Sequence, residues 1–130
     1  MIRAVKTAEI INEKFNVPIK LDDRLIEIDF GDYVGKNCLK DKEFIEAKHY
    51  TGDKAFPNGE SYKDFTHRIH KAINEICKEY KDYKCILIVA HGNILRVAHW
   101  YFNELPQKGK EEIIRPGNCE IYEYEVRSEN

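Results

Sequence analysis

The chain has 130 residues, of which 42% are hydrophobic and 34% are charged, and its formal net charge is −2. This length suits a single domain, residues 1–130, and the nearly balanced charge gives no electrostatic reason to expect nucleic acid as a partner. No apolar run is long enough to span a membrane, and no hydrophobic signal segment opens the sequence, so a cytoplasmic protein with no membrane contact is expected.

The N-terminal part is predicted to form a helix, a short strand and a loop. Apolar residues at helical spacing predict a helix from Ile2 to Phe15, and Asn16 before Val-Pro supplies a stop. A short strand is expected near Ile19. The loop that follows contains Gly31 and Gly35, which allow backbone conformations that other residues resist.

The middle of the chain is predicted to contain an irregular segment and a long helix. Residues 40–49 are a helix candidate, whereas residues 51–60 hold Gly, Pro, Asn and Gly in a short span and are expected to be irregular. Ser61 has the character of an N-cap, with Asp64 three residues later. An apolar stripe then predicts a helix that reaches towards Tyr80.

The last third of the chain is predicted to alternate strand, helix and strand. Residues 84–90 (KCILIVA) form a continuous apolar run, which is typical of a central strand covered on both faces. Residues 93–102 return to helical spacing, and residues 119–126 (CEIYEYEV) alternate as an edge strand does. The order of elements predicts a layered α/β domain.

The sharpest local signal is the sequence VAHGNILR, in which a predicted buried strand ends in His91 and a helix starts at once. In open α/β sheets ligands bind beyond the carboxyl ends of strands, and the free N–H groups of a helix start favour an anion such as phosphate. Gly92 would let a phosphoryl group approach the backbone, and His91 could donate a hydrogen bond to it. A histidine at a tight strand-to-helix turn of the core is an equally good interpretation from spacing alone.

Acidic and basic candidates lie nearer the N-terminus. Glu27, in LIEIDFGDYVG, could protonate a leaving oxygen, but Glu27, Asp29 and Asp32 are also what a solvated acidic loop contains. Arg3 could hold phosphate oxygens through two parallel hydrogen bonds, although an isolated arginine is usually a surface residue.

No pattern in the sequence indicates a metal site. The four cysteines are scattered and include no CxxC pair, so free buried thiols are expected. His67 and His70 lie three residues apart on the predicted long helix and could face a metal together. Because no third ligand is near in sequence, a solvated helix face is the favoured interpretation.

Five segments, taken in order, resemble the histidine phosphatase superfamily, which is also called phosphoglycerate-mutase-like. They are RAVKTAEII, LIEIDFGDYVG, PNGES with the helix that follows it, ILIVAHGNILR and GNCEIYEYEV. The resemblance covers nearly the whole chain. It implies a three-layer sheet with helices on both faces, and it implies no metal and no organic cofactor.

The resemblance also implies roles for individual residues. Arg3 matches the arginine that grips phosphate, and Glu27 matches the acid of the glycine-containing loop. His91 matches the second histidine, which stabilises charge across the phosphoryl group, and Gly92 and Asn93 follow it as in some mutase members. The GES element implies a helix-capping and loop-positioning role for Glu60 and Ser61.

The chain departs from the family pattern at its start. Members of the family open with an Arg-His-Gly segment whose histidine is the nucleophile, and no such segment occurs in these 130 residues. The histidines other than His91 lie in different sequence contexts. Loss of a nucleophile can cost on the order of 10^6 in rate, so an N-terminally truncated fold without turnover is expected. The unpaired strand edges left by such a truncation predict a homo-oligomer or dependence on a separate N-terminal fragment.

Three functions remain open. The favoured one is a phosphoric monoester hydrolase that works through a phosphohistidine and acts on a phosphorylated small molecule. The alternatives are a non-catalytic phosphate-binding or interaction remnant of the family and a phosphoglycerate-type mutase, towards which the HGN sequence leans. Residues 37–59 are expected to set substrate specificity, but their sequence identifies no substrate.

Overall fold

The computed structural model describes residues 1–48, 52–104 and 114–126. Within those residues the α-helices are α1 (Ile2–Asn12), α2 (Lys42–Ala47), α3 (Tyr62–Glu79) and α4 (Gly92–Phe102). Two short 3-10 helices, Asp23–Leu25 and Gly31–Tyr33, lie between α1 and α2. None of the helices in the described part of the chain is both long and apolar enough to cross a membrane.

Helix α3 is the longest element, and it begins where the sequence predicts. The Ser61 hydroxyl oxygen accepts a hydrogen bond of 3.0 Å from the backbone N–H of Asp64, which satisfies one free donor of the first turn. The predicted apolar stripe is buried, with Phe65 and Ile69 fully inaccessible to solvent. The capping residue and the helical periodicity therefore determine this element together.

Helix α4 lies against α3, and the contact between them is the core of the molecule. The buried residues of α4 are Ile94, Val97 and Trp100, which join Phe65 and Ile69 of α3 in one hydrophobic cluster. Each fully buried aliphatic or aromatic side chain of this kind contributes about 1.5–3 kcal/mol relative to an exposed one. The two helices are therefore the most firmly anchored elements.

The predicted three-layer α/β sheet is wrong for the described residues, which form no sheet. Their one ladder contact is an isolated antiparallel bridge between Ala55 and Ser61. Residues 84–90 have no regular secondary structure and pair with no strand among the described residues, and Leu87 is 58% exposed where a central strand would be covered. An apolar run has the composition of a buried strand, but a strand also needs a partner for its backbone groups.

The other predicted strands also show no regular secondary structure and no strand pairing within the described residues. Leu21, in the segment near Ile19, is 69% exposed, and Ile121 in the C-terminal segment is 82% exposed. The C-terminal segment is held by a side chain instead, because the Tyr124 ring stacks on Phe102 of α4 with ring centroids 4.6 Å apart.

Helix α1 ends earlier than the sequence predicts, and none of its residues is buried. Asn16 adopts the left-handed conformation with φ of 49°, and the Asn12 side chain exchanges hydrogen bonds of 2.8 and 2.9 Å with the backbone of Val17. The stop at Asn16 is confirmed. Phe15, predicted to lie on the apolar face, is 66% exposed beyond the helix end.

Helix α2 confirms the helix candidate within residues 40–49, although His49 itself lies outside the described residues. Its Phe44 contacts an aromatic cluster that also contains Phe30, Tyr33 and Phe56, with ring centroids 5.0 to 6.2 Å apart. This cluster joins the loop after Glu27 to the turn before α3. Residues 52–60 are irregular, as predicted, and Thr51 is not described.

Candidate functional site

The structure brings Glu27 to the first turn of α4. One carboxylate oxygen of Glu27, Oε2, lies 3.4 Å from the backbone nitrogen of Asn93, and the other, Oε1, accepts a 3.0 Å hydrogen bond from the N–H of Ile28. The contact spans 66 residues of sequence, so the sequence alone did not reveal it. Two candidates from separate motifs therefore meet at one helix start.

His91 stands at the head of the same helix. It is the N-cap residue, its backbone is extended (φ −120°, ψ 166°), and its side chain does not cap the helix. The imidazole is half-buried and makes no hydrogen bond within the described residues. Next to it, a Cβ at Gly92 would have no atom within 4 Å, so the space beside the helix start is open. A ligand can reach both positions.

A carboxylate–guanidinium pair holds the backbone around Glu27. Arg68 of α3 donates two parallel hydrogen bonds to Glu60, of 3.0 and 2.8 Å, and its third nitrogen donates to the carbonyls of Arg24 and Ile26 at 2.7 and 3.0 Å. Such bidentate pairs fix orientation as well as adding energy. The carbonyl of the residue before Glu27 is thus tied to α3.

Glu60 binds the backbone on the C-terminal side of Glu27. Its carboxylate accepts a 3.1 Å hydrogen bond from the N–H of Asp29, and its own N–H donates to the Asp29 carbonyl at 3.0 Å. Ser61 caps α3 in the way that the GES element implies, and Glu60 bonds to the loop. The pair Arg68 and Glu60 is called the loop clamp below.

Two glycines let the loop and the turn approach each other at backbone distance. A Cβ at Gly31, which has φ of +53°, would lie 2.1 Å from the Pro57 carbonyl oxygen, and one at Gly59 would lie 2.4 Å from the Asp29 carbonyl oxygen. The N–H of Asp32 donates to the same Pro57 carbonyl at 2.9 Å. Any side chain at either glycine would separate the loop from the turn.

Asn93 is held by two residues that sequence reasoning missed. Its side-chain oxygen, Oδ1, accepts hydrogen bonds from Arg96 Nη1 at 2.9 Å and from the Tyr62 hydroxyl at 3.2 Å. Arg96 also donates from Nε to the carbonyl of Ile114 at 2.9 Å. Arg96 lies three residues after Asn93 on the same helix, a spacing that could have indicated the contact.

Arg3 is not joined to these residues. It lies on the exposed first turn of α1, and its side chain makes no hydrogen bond or ion pair within the part of the chain that is described. The Thr7 hydroxyl donates to the backbone carbonyl of Arg3 at 2.9 Å, a contact that leaves the guanidinium uninvolved. The structure therefore brings together Glu27, His91, Gly92 and Asn93 and leaves Arg3 apart.

His67 and His70 do not face a common ligand. His70 is turned into the structure, where its Nε2 lies 2.9 Å from the Val97 carbonyl oxygen, so that nitrogen must carry the proton of the hydrogen bond. Burial lowers the pKa of His70, while the bond to Val97 opposes that effect. The predicted solvated face is thus correct for exposed His67 and wrong for His70.

The described residues contain no group of three potential metal ligands. All four cysteines are free, but only Cys38 is buried, and Cys85 and Cys119 are exposed rather than buried as expected. The candidate site is therefore made of one carboxylate, one imidazole and hydrogen-bond donors. Such groups can bind an oxyanion and move a proton.

The pattern of the histidine phosphatase superfamily (branch 1) matches residues 1–130. The chain therefore belongs to that superfamily, which confirms the resemblance. It is 38% identical over 90 residues to "Uncharacterized phosphatase PhoE" of Bacillus subtilis, a match that covers 69% of this chain and 43% of that protein.

A second relative carries a more specific name. The chain is 31% identical over 98 residues to "Putative phosphoserine phosphatase 2" of Hydrogenobacter thermophilus, which covers 72% of this chain and 47% of that protein. The matches thus span less than half the length of either relative. No solved structure matches the chain significantly.

Proposed function

We propose that these 130 residues form the acid and phosphate-binding part of a phosphoric monoester hydrolase that works through a phosphohistidine. In this proposal Glu27 protonates the leaving oxygen, and His91 stabilises charge on the phosphoryl group. Gly92 and Asn93 surround the phosphoryl oxygens at the start of α4. The observation that supports the proposal is the contact between the Glu27 carboxylate and the backbone N–H of Asn93, two residues after His91.

Arg3 enters the proposal as a second phosphate-binding group only by the family pattern. Its side chain is exposed and unpaired within the described residues, so it is able to turn towards a ligand. Weaker phosphate binding in Arg3→Gln, with no change in Arg115→Gln, would support this role. Arg115 is also an exposed arginine, and it lies outside every predicted site.

The nucleophile is proposed to be absent from these residues. Among the other histidines, His70 bonds to the Val97 carbonyl, and His99 Nδ1 lies 3.0 Å from the Tyr124 hydroxyl. His67 is exposed on α3, and His49 lies outside the described residues. Since each described histidine except His91 lies in another environment, the chain alone is expected to bind phosphate without turnover.

Phosphate release from a generic aryl phosphate tests this expectation directly. The purified chain should release no more phosphate than its His91→Ala variant. Activity that His91→Ala abolishes would show that another group supplies the nucleophile, and the proposal of an absent nucleophile would be wrong.

Complementation separates the hydrolase from a non-catalytic remnant of the family. A peptide carrying an Arg-His-Gly segment with its flanking strand, helix and strand should restore hydrolysis if the chain is part of an enzyme. The same peptide with alanine in place of that histidine is the control. No restored activity, despite binding of the peptide, would favour the non-catalytic alternative.

A phosphatase is proposed over a mutase. Both relatives described above carry the word phosphatase in their names. Only the sequence His-Gly-Asn leans towards the mutases. In the complemented protein, release of inorganic phosphate at a rate matching loss of the substrate would support the hydrolase, and its retention in an isomeric phosphate ester would support the mutase.

We also propose that the chain associates with a second copy through residues 84–90. Ile86, Leu87 and Ile88 of this segment are 39%, 58% and 38% exposed, and an exposed apolar segment with unpaired backbone groups invites association with another chain. Sedimentation velocity at micromolar concentration should show a dimer that Leu87→Lys weakens. Leu39→Lys, at an exposed loop position, should leave it intact. A compact monomer would contradict the proposal and would favour a separate polypeptide as the partner of this segment.

A further inference from the structure

The side-chain amide of Asn93 has only one possible orientation in this structure. A guanidinium group donates hydrogen bonds and accepts none, so the atom that lies 2.9 Å from Arg96 Nη1 must be the amide oxygen. The Tyr62 hydroxyl, 3.2 Å from the same oxygen, can serve as a second donor. The amino nitrogen, Nδ2, must therefore lie on the opposite side of the amide.

That amino group is the part of Asn93 left for a ligand. Asn93 is half-buried, and its Nδ2 donates no hydrogen bond to any described residue. An amino group of this kind offers two donors and no acceptor, so it recognises oxygen acceptors. The backbone nitrogen of the same residue lies 3.4 Å from Oε2 of Glu27, so Asn93 as a residue lies beside the proposed acid.

The residues that orient the amide are themselves fixed. Tyr62 is completely buried in the first turn of α3, so its hydroxyl cannot move without disturbing the core. Arg96 is bound through Nε to the carbonyl of Ile114 at 2.9 Å. Because both are engaged within the protein, they act on a ligand through Asn93.

We propose that Asn93 donates a hydrogen bond from Nδ2 to a phosphoryl oxygen, and that Tyr62 and Arg96 are positioning residues that keep its amino group turned to the ligand. The inference rests on the proposed function, because the ligand is the phosphomonoester of that same site.

Asn93→Asp is the sharpest test, because it keeps the oxygen that accepts hydrogen bonds and replaces the amino group, which donates them, with a second oxygen. One aspartate oxygen still accepts from Arg96 and Tyr62, so the fold should be retained. The other oxygen replaces the amino donors with a negatively charged acceptor, which repels an oxyanion. The affinity for inorganic phosphate, measured by titration calorimetry at pH 7, should fall at least about tenfold.

Two further variants separate the Asn93 role from the site as a whole. Tyr62→Phe keeps the buried ring but removes one bond that orients the amide. In 15N-correlated NMR spectra the Nδ2 proton signals of Asn93 should move when phosphate is added to the unmodified chain, and they should move less in Tyr62→Phe. His91→Ala should weaken phosphate binding without changing the Nδ2 signals in the absence of phosphate.

The outcomes distinguish the two proposals. If His91→Ala weakens phosphate binding but Asn93→Asp binds phosphate as tightly as the unmodified chain, the proposed roles of Glu27, His91 and Gly92 stand and the role of the Asn93 side chain is refuted. If the unmodified chain binds no inorganic phosphate, both are refuted. A tenfold loss in Asn93→Asp, with unchanged thermal unfolding, supports the inference.

Discussion

Two regions of the molecule differ in how their apolar residues are used. In the anchored region, defined as α3, α4 and the loop clamp, the apolar side chains of both helices are buried against each other. In the open region, defined as residues 2–21 and 84–90, most of the large apolar residues are exposed and no residue is fully buried. The candidate site lies at the edge of the anchored region, where α4 begins.

Contacts from the anchored region, rather than from the open region, hold the candidate site in place. Glu27 belongs to a loop without regular structure, yet the loop clamp and the backbone contact at Gly31 and Gly59 hold it against α3. Polar bonds from a well-buried helix thus replace the support that a sheet would give. The open region contributes no side chain to the contact between Glu27 and α4.

The largest expected effect is on the free energy of unfolding, and it compares a buried side chain of the anchored region with an exposed one of the open region. Ile69→Ala, in the centre of α3, should lower the free energy of unfolding by about 2–5 kcal/mol, because it removes fully buried methyl groups. Ile10→Ala, in α1, should change it by no more than about 0.5 kcal/mol, since that side chain is 65% exposed. Urea unfolding followed by circular dichroism measures both.

Equal losses in the two variants would contradict the contrast. They would mean that Ile10 of α1 is covered in solution, as it would be if association with a second copy also covered α1. Repeating the measurement at several protein concentrations separates these explanations, because stability gained from association increases with concentration.

The sequence predicted the anchored region well and the open region poorly. Helical periodicity and the Ser61 cap are local signals, so α3 and α4 were predicted nearly to the residue. The segment 84–90 has the composition of a buried strand, but composition does not supply a pairing partner. Arg68 of the loop clamp also donates to the carbonyls of Arg24 and Ile26, which lie more than 40 positions away, and no local pattern encodes such bonds.

The loop clamp should show the next largest effect. Arg68→Met should cost about 1–3 kcal/mol of stability, because it leaves the Glu60 carboxylate and two backbone carbonyls without their donor. Arg68→Lys should cost less than Arg68→Met, since an ammonium group can still donate to some of these acceptors, although it cannot reproduce the forked pair of hydrogen bonds. The backbone amide signal of Asp29, which donates to Glu60, should shift in both variants.

Lys20→Met is the matched control for the loop clamp. Lys20 contacts Glu79 at 2.8 Å, but both side chains are at least half exposed, so solvent screens the pair. No measurable change in stability is expected. A loss as large as that of Arg68→Met would show that charge, rather than the geometry of the fork, accounts for the effect.

The helix cap of α3 should contribute a smaller amount. Ser61→Ala removes the oxygen that accepts from the N–H of Asp64, and loss of an N-cap costs about 1 kcal/mol. Lys63→Ala, an exposed change in the same turn, should stay within about 0.5 kcal/mol. If urea unfolding gives the same small change for both, the first turn of α3 is held by burial of Tyr62 and Phe65 instead of by the cap.

The smallest expected effect is a dependence on pH at the contact between α3 and α4. Burial lowers the pKa of His70 below the usual value of 6.5, so the folded state binds this proton less readily than the unfolded state. The stability from neutral His70 is therefore complete above that value and is lost as pH falls below it. Besides Val97 and the nearby imidazole of His67, the ring of Tyr101 faces His70, with centroids 5.4 Å apart.

His70→Gln should flatten this dependence, because glutamine can still donate to the Val97 carbonyl but does not titrate. Thermal unfolding between pH 5 and 8 measures the slope, and exposed His67→Gln is the matched control on the same helix. His70 lies within the anchored region, whereas the acidic groups of the candidate site lie at its edge. A weaker dependence of the unfolding temperature on pH in His70→Gln would therefore show that the loss of stability at low pH arises in the core. An unchanged pH dependence in His70→Gln would show that titrating groups outside the contact between α3 and α4 cause the loss of stability at low pH.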